Sequence, residues 1–425
     1  MKKIIILILL LCSATLLAHD YVPGKAQDHP ILLRNGNIYP VSSPVMPNSD
    51  LLFENGLITA IGQNLTPPEN CEIIDVSGKN IYPGLIAPNS FLGLVEIGAV
   101  PVTNDMNEIG QNNADTKTAV AYNPDSEVIP TVRSNGITTA LIAPRGAEIA
   151  GRSCIVNLDA WTIEDALIKD INALHIYWPS QTVNTKRMDD DSPEKQIQHN
   201  IEKCHNIYHV FEQAEAYLLA KKAGKISELD QRLEAIIPAL DGQLPVFIHA
   251  ERYREIEQVL AFARKHQLKI VLIGGRDIPK MTDQIRRDSI PVIISRSQAL
   301  PNREDESYDQ AYALAAKLYA DSIPFCFSYG SYTGTRNIQF QASQAVAFGL
   351  PEDIALRALT LSTAEILGID DQLGSLEIGK KATIVVSKGD ILDHLTDQIE
   401  NVFIDGRVVD LDDKQKELYR KYLQK

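Results

Sequence analysis

Short apolar runs broken by turn residues fill the first part of the chain. Ile31-Leu32-Leu33, Leu51-Leu52-Phe53 and Leu57-Ile58-Thr59-Ala60-Ile61 read as strands, with Asn55-Gly56 between the last two. That dipeptide is a hairpin signal, because a tight two-residue turn needs residues that tolerate positive φ. Ile73-Ile74-Asp75-Val76 and Lys79-Asn80-Ile81 continue the style around Ser77-Gly78, and the other end returns to it at Thr383–Val386 and Asn401–Val409. Two β-rich ends around a different middle predict a small composite β-sandwich from residues 28–82 and 370–411, with a C-terminal helix over 412–425.

The middle, residues 83–369, alternates strand and helix. Ile137–Ile142, Pro245–Ile248, Lys269–Ile273, Pro291–Ile294 and Pro324–Phe327 are short apolar runs, the pattern of parallel strands buried on both faces. Helical periodicity spans Glu255–His266. A second helix starts at Pro351-Glu352-Asp353, with proline in the first turn and acids at its positive end, and stops by Gly368. Repeated β-α units over roughly 280 residues match the size of an eightfold barrel. Residues 182–239 interrupt the alternation. After the acidic run Asp189-Asp190-Asp191, apolar positions at Ile197, Ile201, Cys204, Tyr208, Phe211 and Leu218 mark a helical insertion.

The first residues change the picture of where the protein resides. Lys2-Lys3, the apolar Ile4–Leu11 and the small residues after it read as an export signal over 1–18, cleaved after Ala14 or Ala18. A periplasmic protein follows. Leu11 before Cys12 is too large for a lipoprotein cleavage site, which disfavours an anchor at Cys12. A composition of 44% hydrophobic and 23% charged residues is that of a packed soluble protein, and a net charge of −14 argues against a nucleic-acid or anionic-membrane partner. Cys71, Cys154, Cys204 and Cys326 are scattered and form no disulfide framework. Cys154 and Cys326, in apolar runs, read as small buried residues.

Three sequence motifs carry a resemblance. Asp75-Val76-Ser77-Gly78-Lys79 is followed by Tyr82-Pro83-Gly84-Leu85-Ile86-Ala87-Pro88-Asn89-Ser90-Phe91, and Gly374-Ser375-Leu376-Glu377-Ile378-Gly379-Lys380-Lys381-Ala382-Thr383 lies near the other end. Together they resemble the amidohydrolase superfamily, most closely its imidazolonepropionase-like members, over nearly the whole chain after the leader. The resemblance implies a TIM-like (β/α)8 barrel, an α/β fold, beside a composite β-sandwich. It also implies hydrolysis of C–N bonds in cyclic amides, dipeptides and related compounds. Family members hold metal at the ends of strands one, five, six and eight, often with a modified lysine or a carboxylate on strand four.

Here the ligand positions depart from that pattern. The strand-one pair, two histidines in the family, is Asn89 and Phe91. An amide is a poor zinc ligand and a phenyl ring is none. His249 resembles the strand-five ligand, the strand-six position falls at Gly274-Gly275, and the strand-eight aspartate falls near Ser328-Tyr329. One retained histidine does not make a catalytic zinc site, which takes three protein ligands. No cofactor is therefore expected, and zinc only if other residues rebuild the site. His205 and His209 share a helix face, but without the glutamate of His-Glu-x-x-His they read as solvated, as does His199. Gly146–Ser153 lacks a phosphate-loop lysine and reads as a turn into a strand.

The site residues this leaves are His249 and Glu96 for catalysis, and Asn89, Phe91, Arg252 and Tyr329 for substrate contact. Asp105, Glu108, Arg276, Arg296 and Glu304-Asp305-Glu306 also follow strand-like runs, and each singly is better read as loop architecture. Three functions follow. The chain is a non-catalytic member of its superfamily, acting alone or with an active homologue or a second copy of itself. Otherwise it is a hydrolase with a reduced site using His249 and a carboxylate, or a periplasmic protein binding a small organic molecule. Metal content separates a conventional enzyme from the rest.

Overall fold

The computed structural model describes residues 21–183, 192–226 and 228–425. The expected export signal at 1–18 and the run Asp189–Asp191 lie outside the described residues. The first strands are β1 (Ile31–Ile38), β2 (Met46–Glu54), β3 (Leu57–Gly62), β4 (Glu72–Asp75) and β5 (Asn80–Pro83). They join β14 (Ile384–Ser387), β15 (Ile399–Ile404) and β16 (Arg407–Val408) in one eight-stranded sheet, ordered β16-β15-β14-β5-β1-β2-β3 with β4 also on β1. The two chain ends meet where β14 runs antiparallel to β5, Val385 opposite Tyr82. The sheet curls on itself, since Phe53 of β2 and Phe403 of β15 bring their rings within 5.0 Å across the core. The β2–β3 turn uses Asn55 at φ 53° and Gly56 at φ 77°, both left-handed as a hairpin of this twist requires.

The barrel strands are β6 (Leu85–Ser90), β7 (Ile137–Ile142), β8 (Ile149–Asn157), β9 (Leu167–Tyr177), β10 (Val246–Ala250), β11 (Ile270–Gly274), β12 (Val292–Ile294) and β13 (Phe325–Phe327), adjacent in that order. The fold is thus an α/β barrel with a β-rich unit built from both chain ends. At the seam, Ser328 Oγ donates to the carbonyl of Asn89 at 3.2 Å, and the Ser90 and Thr335 hydroxyls meet at 3.0 Å.

One strand departs from strict β-α alternation. β8 is antiparallel to both β7 and β9. The link at residues 143–148 is too short for the crossover of roughly a dozen residues that a parallel partner requires. A second departure is the helix expected from Pro351 to Gly368, which divides into Glu352–Arg357 and Leu361–Leu367. Thr360 leaves helical geometry at φ −132° and ψ −94°, while its hydroxyl donates to the Leu356 carbonyl at 2.8 Å, a side-chain bond that competes with the helix ladder.

The insertion forms a helix over Pro193–Lys222 and a shorter one over Gln231–Leu240. Cys204, Ile207, Phe211 and Ala214 make the buried stripe of the long helix, at the three- and four-residue spacing of one face. Phe211 packs edge-on against Phe262 of the helix Tyr253–Lys265 at 4.9 Å. His199, His205 and His209 lie exposed on the outer face. Cys154 and Cys326 are buried, and burial pushes both thiols up to about 12. All four described cysteines are free.

Candidate functional site

The C-terminal ends of the parallel strands converge on one mouth. In β9 and β10, His175 lies opposite Phe247 and Tyr177 opposite His249. Because side chains alternate along a strand, all four belong to one face. His175 Nδ1 and His249 Nε2 are 3.2 Å apart, and the Tyr177 ring stacks on His249 at 3.8 Å and 13°. The Tyr177 hydroxyl donates to the Pro144 carbonyl at 3.2 Å, which fixes the ring.

Both imidazoles are held neutral. Burial pushes His175 down to about 3. Burial also depresses His249 well below the usual histidine range, helped by His175 and by the cation of Arg145. One shared proton satisfies the facing nitrogens. His175 Nε2, deep in the barrel, has no hydrogen-bond partner among the described residues.

Above the pair opens a cavity of about 370 Å³, with Asn89, Phe91, Arg145, Tyr177, Trp178, His249, Glu251, Arg252, Ser295 and Gly330 in its walls. Ser295 Oγ donates to Glu251 Oε1 at 2.6 Å, and the Arg276 backbone N–H reaches Oε2 at 3.3 Å. The Glu251 side chain meets solvent, yet it sits in a concave, atom-dense wall. That crowding raises its carboxyl above the ordinary range, and the Ser295 bond offsets only part of the effect.

The glycine at the end of β11 has a steric cause. Gly274 adopts φ +110°, and a Cβ built there would lie 2.7 Å from Glu251 Cδ and 2.8 Å from the Ala250 carbonyl oxygen. Glu251 thus folds over the position that carries a strand-six ligand in the resembled pattern. Gly274→Ala should cost roughly 1–2 kcal/mol from the strained backbone and displace Glu251. Urea unfolding checks this, and stability equal to the parent would count against it.

The structure brings some of the expected site residues together and separates others. Asn89, Phe91, His249 and Arg252 share the cavity. Glu96 does not: it sits in the loop after β6, bonded to Asn123 Nδ2 at 3.4 Å. The chain turns away after Leu94, whose carbonyl is taken by the N–H of Asp105. Tyr329 is also absent from the lining, its ring being packed over Gly334, where an added Cβ would fall 2.2 Å from it. Asp105 and Glu108 are exposed loop residues, the latter accepting from the Ile109 N–H at 2.8 Å. Arg276 pairs with Glu306 at 3.2 Å, and Arg303 with Asp277 and Asp305 at 2.7 and 2.8 Å.

Sequence reasoning missed His175, Tyr177, Arg145, Glu251 and Ser295. The alternation Ala173-Leu174-His175-Ile176-Tyr177 before Pro179 was the available signal for the first two. Arg145 and Ser295 lie in connections, where no periodicity marks them.

The model of the amidohydrolase family matches residues 128–409. The chain belongs to the amidohydrolase family. Among solved structures, it is similar to an amidohydrolase from Thermotoga maritima MSB8, with a TM-score of 0.78 and 25% identity over 89% of this chain and 99% of that one. Among curated proteins, it is similar to amidohydrolase tasK of Hapsidospora irregularis, 23% identical over 84% of this chain and 39% of that protein. A dihydroorotase of Pelobacter propionicus is 39% identical over 13% of each chain. The chain thus spans less than half the length of these curated relatives. A hydrolase ancestry follows.

Does this amidohydrolase-family site fit the divalent metal its superfamily commonly uses? His175 and His249 offer two imidazole nitrogens, and Asn89 an amide. Phe91 and Gly274 offer no donor, and the Ser328 hydroxyl is spent on the Asn89 carbonyl. Among the described residues, no group of three or more His, Cys, Asp or Glu is placed to hold a metal ion. A zinc site needs three or four strong donors. The residues do not fit the group.

Proposed function

We propose that this amidohydrolase-family protein is exported and binds a small organic molecule at the barrel mouth without metal-dependent hydrolysis. The observation that carries the reading is the occupancy of the mouth. Asn89 and Phe91 stand on β6 and just beyond it, Glu251 lies over Gly274, and the two histidines satisfy each other as a neutral pair. Export rests on Lys2-Lys3 and the apolar run after them.

Elemental analysis of mature protein, purified without added zinc, tests this reading. It should find well below one tightly bound transition-metal ion per chain. Chelator should leave Tm unchanged, and cyclic amides and dipeptides should not be hydrolysed. Asn89→His with Phe91→His should still bind no metal tightly, because His175 and His249 spend their facing nitrogens on each other and Gly274 and Ser328 add no donors. Stoichiometric zinc, with hydrolysis lost in His249→Ala, would overturn the reading.

One observation favours a second reading, a hydrolase with a reduced site. Glu251, unlike Glu96, shares the cavity with His249, and its raised pKa suits a proton carrier. Metal-independent hydrolysis abolished by Glu251→Gln would select it.

A further inference from the structure

The cavity at the barrel mouth is lined by two arginines and two glutamates, and the two kinds of side chain differ in what already engages them. Arg145 and Arg252 both line it, and among the described residues neither guanidinium has a carboxylate partner. The two acids beside them are already engaged by other donors. Glu251 accepts from Ser295 Oγ and the Arg276 N–H. Glu255 accepts from the backbone N–H groups of Glu251, Arg252 and Gln181 at 3.1, 3.0 and 3.2 Å. The cations are left with their forks open, the geometry that matches a carboxylate bidentately.

Phe91, Tyr177 and Trp178 add flat aromatic rings to the walls. The Arg145 guanidinium carbon lies 5.5 Å from the centre of the Phe91 ring. The Tyr177 hydroxyl is spent on Pro144, and Trp178 Nε1 donates to Gln258 Oε1 at 2.9 Å. These rings therefore present faces, not polar edges. One polar group remains unmatched. Asn89 is 4% exposed, lines the cavity, and its Oδ1 has no partner among the described residues. A buried acceptor of this kind calls for a donor on whatever fills the space.

We infer that the cavity binds a small planar organic carboxylate. Its anionic group meets Arg145 and Arg252, its ring lies along Phe91 and Tyr177, and a hydroxyl or N–H donor on the ring reaches Asn89. This rests on the reading of the mouth as a metal-free binding site. A volume of about 370 Å³ is at the small end of ligand pockets, which suits a single ring with short substituents.

Calorimetric titration of the mature protein, with and without chelator, uses 4-hydroxyphenylacetate, its neutral carboxamide, and phenylacetate as probes. The hydroxy acid should bind with or without chelator, and the carboxamide about tenfold more weakly. Arg145→Met should weaken the acid by a similar factor and leave the carboxamide unchanged, and Arg252→Met should act in the same direction. Phenylacetate should fall between, and Asn89→Leu should erase its difference from the hydroxy acid. Unchanged Tm in each variant shows that folding is intact. Equal binding of acid and carboxamide, unaffected by chelator, would overturn the inference and leave the metal-free reading standing. So would indifference of the acid to both arginine substitutions, or no binding of any probe. Acid binding that disappears on chelation would instead overturn the metal-free reading.

Discussion

Asp159→Ala is expected to destabilise the protein by about 3–5 kcal/mol, the cost of leaving one partner of a buried ion pair alone. Arg133 Nη1 and Asp159 Oδ1 are 2.9 Å apart, and both side chains are 0% exposed. Arg133 precedes β7 and Asp159 follows the reversed β8, so the pair lies at the end of the barrel opposite His249. Around it, the Tyr21 hydroxyl bonds both partners, the Gly24 N–H reaches Asp159 at 3.0 Å, and Arg133 reaches the Asp410 carbonyl at 3.1 Å. The pair thus ties the segment Tyr21–Gly24 and the chain following β16 to the barrel floor. Burial pushes the Asp159 carboxyl up and the Arg133 guanidinium down to about 10. Both shifts say that desolvation outweighs the attraction, so the intact pair adds little net stability. The loss in the variant comes from the stranded guanidinium. Arg133→Met with Asp159→Leu should therefore lose less than Asp159→Ala alone. Urea unfolding at pH 7 measures both, and a loss below about 1 kcal/mol in the single variant would sink the argument.

What the sequence discloses about this fold depends on whether a feature is local. β10 is legible because Val246, Phe247 and Ile248 are buried on both faces and read as an uninterrupted apolar run. The β2–β3 turn is legible because Asn55-Gly56 states its own backbone geometry. His249 is legible because it ends such a run. β9 is not, since Lys169, Asp170 and Asn172 break the pattern, and His175 went unseen with it. The reversed direction of β8 leaves no mark in periodicity, which is the same for either direction. It follows instead from a short connection. Glu251 over Gly274 is a tertiary event: a glutamate after one strand and a glycine ending the next carry no pattern linking them. Glu96 and Tyr329 lie outside the cavity for a related reason. Both sit near strand ends, but the chain after β6 turns away at Leu94, and the Tyr329 ring packs over Gly334 although its neighbour Gly330 lines the cavity.

Lowering the pH from 7 should destabilise the protein through His175, and this loss should be absent from His175→Gln. The imidazole is wholly buried in the barrel, facing His249 on β10 and packed against Phe247. His249 in turn is covered by Tyr177, with the Arg145 cation in its field. Neither environment offers an anion to stabilise an imidazolium. His175 is held down to about 3 by burial, whereas in the unfolded chain it titrates near 6.5. Between those values the unfolded state binds a proton that the native state refuses. Stability from this group is therefore complete above about pH 6.5 and falls as pH drops, by about 1.4 kcal/mol per unit, until the native imidazole itself protonates near 3. Carboxyls with raised native values, such as Glu251 and Asp397, contribute with the opposite sign over part of the range. The comparison of parent and variant, not the parent curve alone, isolates the histidine. Glutamine keeps a hydrogen-bonding group opposite His249 and removes the titration. From pH 6.5 to 4.5 the parent should lose roughly 2–3 kcal/mol more than His175→Gln in urea unfolding. Parallel curves for the two proteins would mean that the pair accepts a proton in the folded state, and the neutral His175–His249 bridge would have to be abandoned.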